Sequence, residues 1–253
     1  MPRWLALGFQ DTSSTSIVEL SCLHDYILVV MLLVIILVSY IMFYLLVFSE
    51  NYKYFVEGTL IETIWSIVPA FLLVILVVPS IKVLYLIEDI KHPLLSYKIV
   101  GHQWYWSYVS PFLKNVNFLL NNFIVGFFTF DSMIDSDLNS FPRLLASSSE
   151  LFIPINTTSR ILVSSSDVIH AFSIPTLGLK VDAFPGRINQ LYTNPSRLGL
   201  FYGQCSEICG SNHSFMPIRF KVVSLFDFNF VSEEIALERM ISLIDKEYVI
   251  LKK

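Results

Sequence analysis

Cys205-Ser206-Glu207-Ile208-Cys209-Gly210-Ser211-Asn212-His213-Ser214-Phe215-Met216 is the stretch around which this chain is organised. Cys205 and Cys209 are four residues apart, His213 follows four later and Met216 three after that. Gly203 and Gly210 flank the cysteines and allow a tight loop. Thiolate, imidazole and thioether are soft or borderline donors, suited to copper or zinc and unsuited to magnesium or calcium. A single-copper electron-transfer site uses one Cys, two His and a weak axial Met. A second Cys lets two thiolates bridge two metals, and a dinuclear site then needs a further nitrogen. His170, in Asp167-Val168-Ile169-His170, is the best placed donor upstream.

The same donors admit other assignments. A Cys205–Cys209 disulfide would close a very small loop and leave His213 and Met216 without a role. A structural zinc would take Cys205, Cys209, His213 and His170, with Met216 a poor ligand for it. A copper pair uses every donor in the loop and leaves no open position at the metals, which suits relaying electrons rather than binding substrate.

Outward from the loop, hydrophobic residues make up 54% of the 253-residue chain, too many for an ordinary soluble domain. A net charge of −4 gives no reason to expect a nucleic-acid partner. Residues 1–25 are mixed and polar and read as a segment along a membrane surface. The start, Met-Pro-Arg-Trp, does not read as a cleaved targeting signal, which suggests synthesis inside an organelle. The third cysteine, Cys22, reads as a packed or interfacial thiol.

Tyr26 to Phe48 is 23 residues without a charge, about 34 Å as a helix, and so a first transmembrane helix over 26–48 is expected. Residues 49–62 form a polar hairpin loop, and a second transmembrane helix runs over 63–87 with Pro69 and Pro79 inside it. Two spans put both ends of the chain on one side of the bilayer. Glu62 opens the second helix, where an acid complements the helix dipole.

From residue 88 to 230 the pattern is of short strands. Ser96 to Tyr108 alternates and reads as one strand, and 150–165 and 177–181 read as others joined by Pro and Gly turns. Many short strands with cysteines on a late loop predict a Greek-key β-sandwich. Asn121-Asn122 between two apolar runs predicts a hairpin turn. Asp167 either orients neighbouring side chains or caps a turn. Ser232 to Val249 reads as an amphipathic helix capped by Ser232, within a C-terminal segment 231–253. The glycosylation sequons at Asn156 and Asn212 are read as chance.

The loop resembles the dinuclear copper (CuA) loop of cytochrome c oxidase subunit II of the mitochondrial type. Other segments agree in order: Gly8-Phe9-Gln10-Asp11, Glu62-Thr63-Ile64-Trp65, Gly101-His102-Gln103-Trp104-Tyr105-Trp106, Asp167-Val168-Ile169-His170, Leu177-Gly178-Leu179-Lys180 and Pro185-Gly186-Arg187. The resemblance implies a membrane-anchored α+β chain, in which a two-helix transmembrane hairpin leads into a cupredoxin-like Greek-key β-sandwich and a C-terminal amphipathic helix. It implies that Cys205 and Cys209 bridge both coppers, that His170 and Met216 complete one, and that His213 and the carbonyl of Glu207 complete the other. It implies a magnesium ion shared between the Glu207 side chain and subunit I. Electrons from cytochrome c would arrive at Trp104 and Tyr105 and leave to a haem in subunit I, where oxygen is reduced and protons are pumped. Glu62 would stand near a proton-path entrance. The expected partners are subunit I, other subunits of complex IV, cytochrome c and the lipid bilayer of the mitochondrial inner membrane. The hairpin loop would lie in the matrix and the copper domain in the intermembrane space.

Two departures from the family pattern stand out. Residues 109–130 lack the docking acids the family carries after its Trp-Tyr-Trp, and 113–128 reads as an apolar insertion suited to a subunit contact. Asp131, Asp135 and Asp137 read as a solvated loop or, alternatively, as substitutes for those acids. Phe172 replaces the tryptophan the family has two residues after its histidine.

Overall fold

The computed structural model describes residues 7–48, 56–88, 92–117, 122–135 and 141–251, with Leu5 and Tyr54. Side chains at 113–125 and beyond Glu238 lie outside that description. The chain divides into a helical unit, 19–89, and a second unit formed by residues 1–18 and 90–253.

Two helices, α1 (Thr15–Val47) and α2 (Thr59–Glu88), are long and apolar enough to cross a membrane. At 1.5 Å per residue they measure about 50 and 45 Å, beyond the ~30 Å hydrocarbon core. Helix α1 begins at Thr15 rather than Tyr26. Ser14 Oγ accepts the Ile17 amide at 3.4 Å and donates to the Leu177 carbonyl at 2.7 Å, which fixes the start. The polar residues Glu19, His24 and Asp25 are therefore on the helix.

Helix α2 accommodates Pro69 and Pro79 without a break. Pro79 has no N–H for the Ile75 carbonyl four residues back, and the Tyr26 hydroxyl donates to that carbonyl at 3.4 Å. Apolar side chains cover both helices all round and are exposed in the isolated chain, as lipid-facing helices require.

Among its described residues the second unit carries ten strands. The larger sheet has β1 (Leu95–His102), β2 (Tyr105–Asn117), β3 (Asn122–Ser132), β5 (Ser159–Ser165) and β8 (Asn189–Thr193), in the order β3-β2-β1-β5-β8. Opposite it lies β4 (Leu151–Pro154), β10 (Pro217–Val223) and β9 (Gly199–Gln204), in the order β4-β10-β9. A ribbon of β6 (His170–Ile174) and β7 (Leu179–Ala183) completes the layers. The β1–β5 and β4–β10 pairs are parallel between non-consecutive strands, so each is joined by a crossover connection. Tyr97, Ile99 and Trp106 join Ile153, Phe172 and Phe220 in one buried core.

The predicted strand 96–108 is two strands. It turns at Gln103-Trp104, with His102 opposite Tyr105 and Gly101 opposite Trp106. Neither turn residue is one that favours turns, so the alternation hid the break. The hairpin expected at Asn121-Asn122 has its paired strands in β2 and β3, registered from Trp106↔Ser132 to Asn117↔Asn122. Residues 118–121 lie outside the described residues. Phe112 and Phe128 are buried, and Phe127 is exposed.

Helix α3 spans Leu225–Leu251 and starts well before Ser232. Its cap is Ser224, whose Oγ accepts the Asp227 amide at 3.1 Å and donates to the Asp227 carboxylate at 2.7 Å. Ser232 is buried inside the helix and bonds the Asn229 carbonyl, so it caps nothing.

Candidate metal centre

His170 opens β6 and is completely buried. Gly101 on β1 makes room for it, because a Cβ there would stand 3.0 Å from His170 Cδ2 and 3.1 Å from the Trp106 ring. Trp106 meets the imidazole edge-on at 5.9 Å. The cysteine loop arrives from β9. Gly203 lets that strand press onto the Ser173 carbonyl of β6, and the Ser206 amide bonds the Ala171 carbonyl at 3.1 Å. These two contacts bring the loop to the histidine.

Cys205 and Cys209 are buried free thiols, so the disulfide alternative falls. The donor atoms of His170, Cys205 and Cys209 lie within 4.8 Å of one another. Cys205 Sγ is 3.9 Å from His170 Nδ1 and 3.3 Å from the Glu207 carbonyl. Cys209 Sγ is 3.4 Å from His213 Nδ1 and 3.5 Å from Met216 Sδ. All the loop donors predicted from sequence thus surround the two sulfurs, while the Glu207 side chain is exposed.

Asp167 Oδ1 sits 2.9 Å from His170 Nε2, which fixes the ring and leaves Nδ1 turned to the sulfurs. Burial would raise the Asp167 carboxyl, but the hydrogen bond to His170 and those from the Val168 and Gln103 amides hold it below the usual range. Burial would lower His170, but Cys205 and Asp167 together raise it. The two thiols differ. Burial works to raise Cys205, yet His170 and the backbone at Ala171 and Glu207 bring it down to about 7. Cys209 is pushed up to about 12 by burial and by the Cys205 charge beside it. The neighbours of Cys205 thus favour its thiolate, and those of Cys209 oppose a second charge beside it.

Trp104 is half-buried in the β1–β2 turn, against the loop. A Cβ on Gly210 would lie 3.0 Å from its Cζ2. Tyr105 stacks on His102 at 4.5 Å, with the rings 4° from parallel. Phe172 fills the core edge-on to Trp106 at 5.4 Å. Asp131 accepts from Ser107 Oγ at 2.6 Å, and Asp137 lies outside the described residues. Glu62 is exposed in the first turn of α2. Sequence reasoning missed Gln103, whose partners are 64 and 106 residues away and leave no local signal.

A buried cluster of two thiols and an imidazole, His170, Cys205 and Cys209, with the buried Met216 thioether beside Cys209, fits copper. The family model described as cytochrome C oxidase subunit II, periplasmic domain, matches residues 95–223, and that described as its transmembrane domain matches 2–83. The chain belongs to the cytochrome c oxidase subunit II family. Cytochrome c oxidase subunit 2 of Sitophilus granarius is 42% identical over 219 residues, covering 86% of this chain and 92% of that one. The same subunit of Ctenocephalides felis is 44% identical over 222 residues, with 86% and 92% covered. A crystal structure of the periplasmic domain of subunit II from Bradyrhizobium japonicum is 41% identical, covers 57% of this chain and 94% of that one, and has a TM-score of 0.49. As a cytochrome c oxidase subunit II, the chain is a membrane-anchored, copper-binding electron-transfer subunit of an oxidase, and its His170, Cys205 and Cys209 cluster fits the CuA centre.

Proposed function

We propose that this chain takes electrons from ferrocytochrome c at a dinuclear copper centre and passes them to a haem in subunit I, where oxygen is reduced to water and protons are pumped. The observation that carries the reading is the convergence of Cys205, Cys209, His170, His213, Met216 and the Glu207 carbonyl in one cluster. A copper pair held here would supply a one-electron couple. Cys205 and Cys209 would hold both metals, His170 and Met216 would complete the donors of one, and His213 with the Glu207 carbonyl those of the other. Asp167 holds the proton on His170 Nε2 and so keeps Nδ1 free to donate. The buried walls, Trp106 and Phe172 among them, exclude water.

Trp104 and Tyr105 receive the electron. The support is the place of Trp104 in the turn beside the loop, with the indole on Gly210, and of Tyr105 next to it at the start of β2. The exposed Glu207 carboxylate contributes to a magnesium ion shared with subunit I, which needs only one or two protein carboxylates. Glu62 serves a proton-path entrance. The apolar 113–128 insertion contacts another subunit of the complex, while the start of the C-terminal helix packs on the sandwich through Phe228 and Ala236. The setting is the mitochondrial inner membrane, with the copper domain in the intermembrane space.

Metal analysis of the purified oxidase, with EPR of its oxidised form, tests the reading. Two coppers in this chain and a hyperfine pattern from one electron shared by both are expected. One zinc, or a four-line single-copper signal, would sink it.

A further inference from the structure

We propose that Gln103 is a positioning residue that locks the Trp104 indole onto the metal loop, and that the rate of electron arrival depends on its side-chain amide. The proposal rests on the reading of Trp104 as the point where electrons arrive.

Gln103 and Trp104 form the turn between β1 and β2 without a residue that favours turns. Something else must hold this turn, and Gln103 supplies it twice. Its backbone N–H donates to Asp167 Oδ2 at 2.7 Å, and its side-chain Nε2 donates to the Cys209 carbonyl at 2.9 Å. The other oxygen of Asp167 accepts from His170 Nε2 at 2.9 Å. One residue therefore ties the turn to the histidine arm and to the cysteine arm of the site. Fixing an exposed glutamine side chain costs rotamer entropy, so a held conformation at this place has to be matched by the bonds it makes.

The indole cannot hold itself. Trp104 Nε1 is buried with no hydrogen-bond partner among the described residues, whereas a buried tryptophan N–H ordinarily has one. A Cβ on Gly210 would lie 3.2 Å from Trp104 Nε1 and 3.2 Å from Gln103 Nε2, so indole and amide rest side by side on the same glycine. With no polar anchor of its own, the ring takes its placement from packing and from the bonded residue before it in the chain. The step it serves is a single-electron transfer. The ferrous donor would lose one electron, the copper pair held by the loop would gain it, and no bond forms or breaks in this chain.

The test uses the assembled oxidase carrying Gln103→Leu, Gln103→Glu or Trp104→Phe. A flash-reduced cytochrome c bearing a ruthenium photoreductant delivers the first electron. Gln103→Leu should slow that first transfer on the order of tenfold, since small misplacements at a reacting centre have effects of this size or larger. KM for cytochrome c and the copper EPR signal should stay unchanged. Gln103→Glu should behave alike, because an ionised carboxylate has no proton to donate to the Cys209 carbonyl. A wild-type rate in Gln103→Leu beside a slowed Trp104→Phe overturns the proposal, and so does a change in KM alone, which would make Gln103 a docking residue. A wild-type rate in Trp104→Phe instead overturns the reading on which the proposal rests. Should the variants fail to assemble, hydrogen exchange in the metal-free full-length chain decides. Faster exchange at the 103–105 amides in Gln103→Leu supports the lock, and unchanged exchange refutes it.

Discussion

Asp167 Oδ1 lies 2.9 Å from His170 Nε2, and the opposite ring nitrogen faces Cys205 Sγ at 3.9 Å. The carboxylate thereby chooses the tautomer and the direction of the donor lone pair. Asp167→Ala should weaken copper retention by about 10–100-fold, the usual effect of losing such a partner. Competition with a copper chelator reads this directly. Undiminished retention would mean that packing against Gly101 and Trp106 alone orients the ring.

Gly203 has no space for a side chain. A Cβ there would overlap the Ser173 carbonyl, which is held in β6 and cannot swing away. Gly203→Ala should cost about 1–3 kcal/mol, as overpacking does, and should push the cysteine loop off the histidine. A lowered Tm together with a disturbed copper absorption band is expected. A lowered Tm with an intact band would show that β9 and the loop move independently.

The Ser224–Asp227 cap sets where α3 begins. Ser224→Ala should destabilise the domain by about 1 kcal/mol. Helical content at the start of α3, followed by NMR amide shifts or circular dichroism, should fall with it. The same fall in Ser232→Ala with none in Ser224→Ala would relocate the cap.

Between α1 and α2, the Tyr26 hydroxyl serves the Ile75 carbonyl that Pro79 leaves without a donor. Tyr26→Phe should weaken the pair by about 0.6 kcal/mol, a typical value for such bonds in membranes. Unfolding of the detergent-solubilised chain in a double-mutant cycle with Pro79→Ala checks it. The loss should vanish once residue 79 has its own N–H, and additive losses would sever the link between the two residues.

Legibility in the sequence followed the range of the interactions. Loop donors from Cys205 to Met216 stand within one short stretch and could be read together, and the uncharged run Tyr26–Phe48 announced a spanning helix by length alone. What depended on distant partners could not be read. The start of α1 is fixed by Ser14 reaching Leu177, 163 residues away, while nearby Glu19 and Asp25 made the same stretch look like surface loop. The turn at Gln103-Trp104 is held by Asp167 and Cys209, so nothing local marked it. Phe226 to Phe230 alternates apolar and polar residues like a strand, and only the Ser224–Asp227 pair, three residues apart, betrays a helix start.

The donors around the two sulfurs do not reach the site by the same route. Cys205, the Glu207 carbonyl, Cys209, His213 and Met216 are near neighbours along the backbone, whereas His170 is 35 residues from Cys205 and reaches it across the contact of β9 with β6. Closing that longer loop carries an entropic cost that packing must meet. The histidine is therefore the donor whose place depends most on the sandwich, while the five loop donors are kept near one another by the backbone itself.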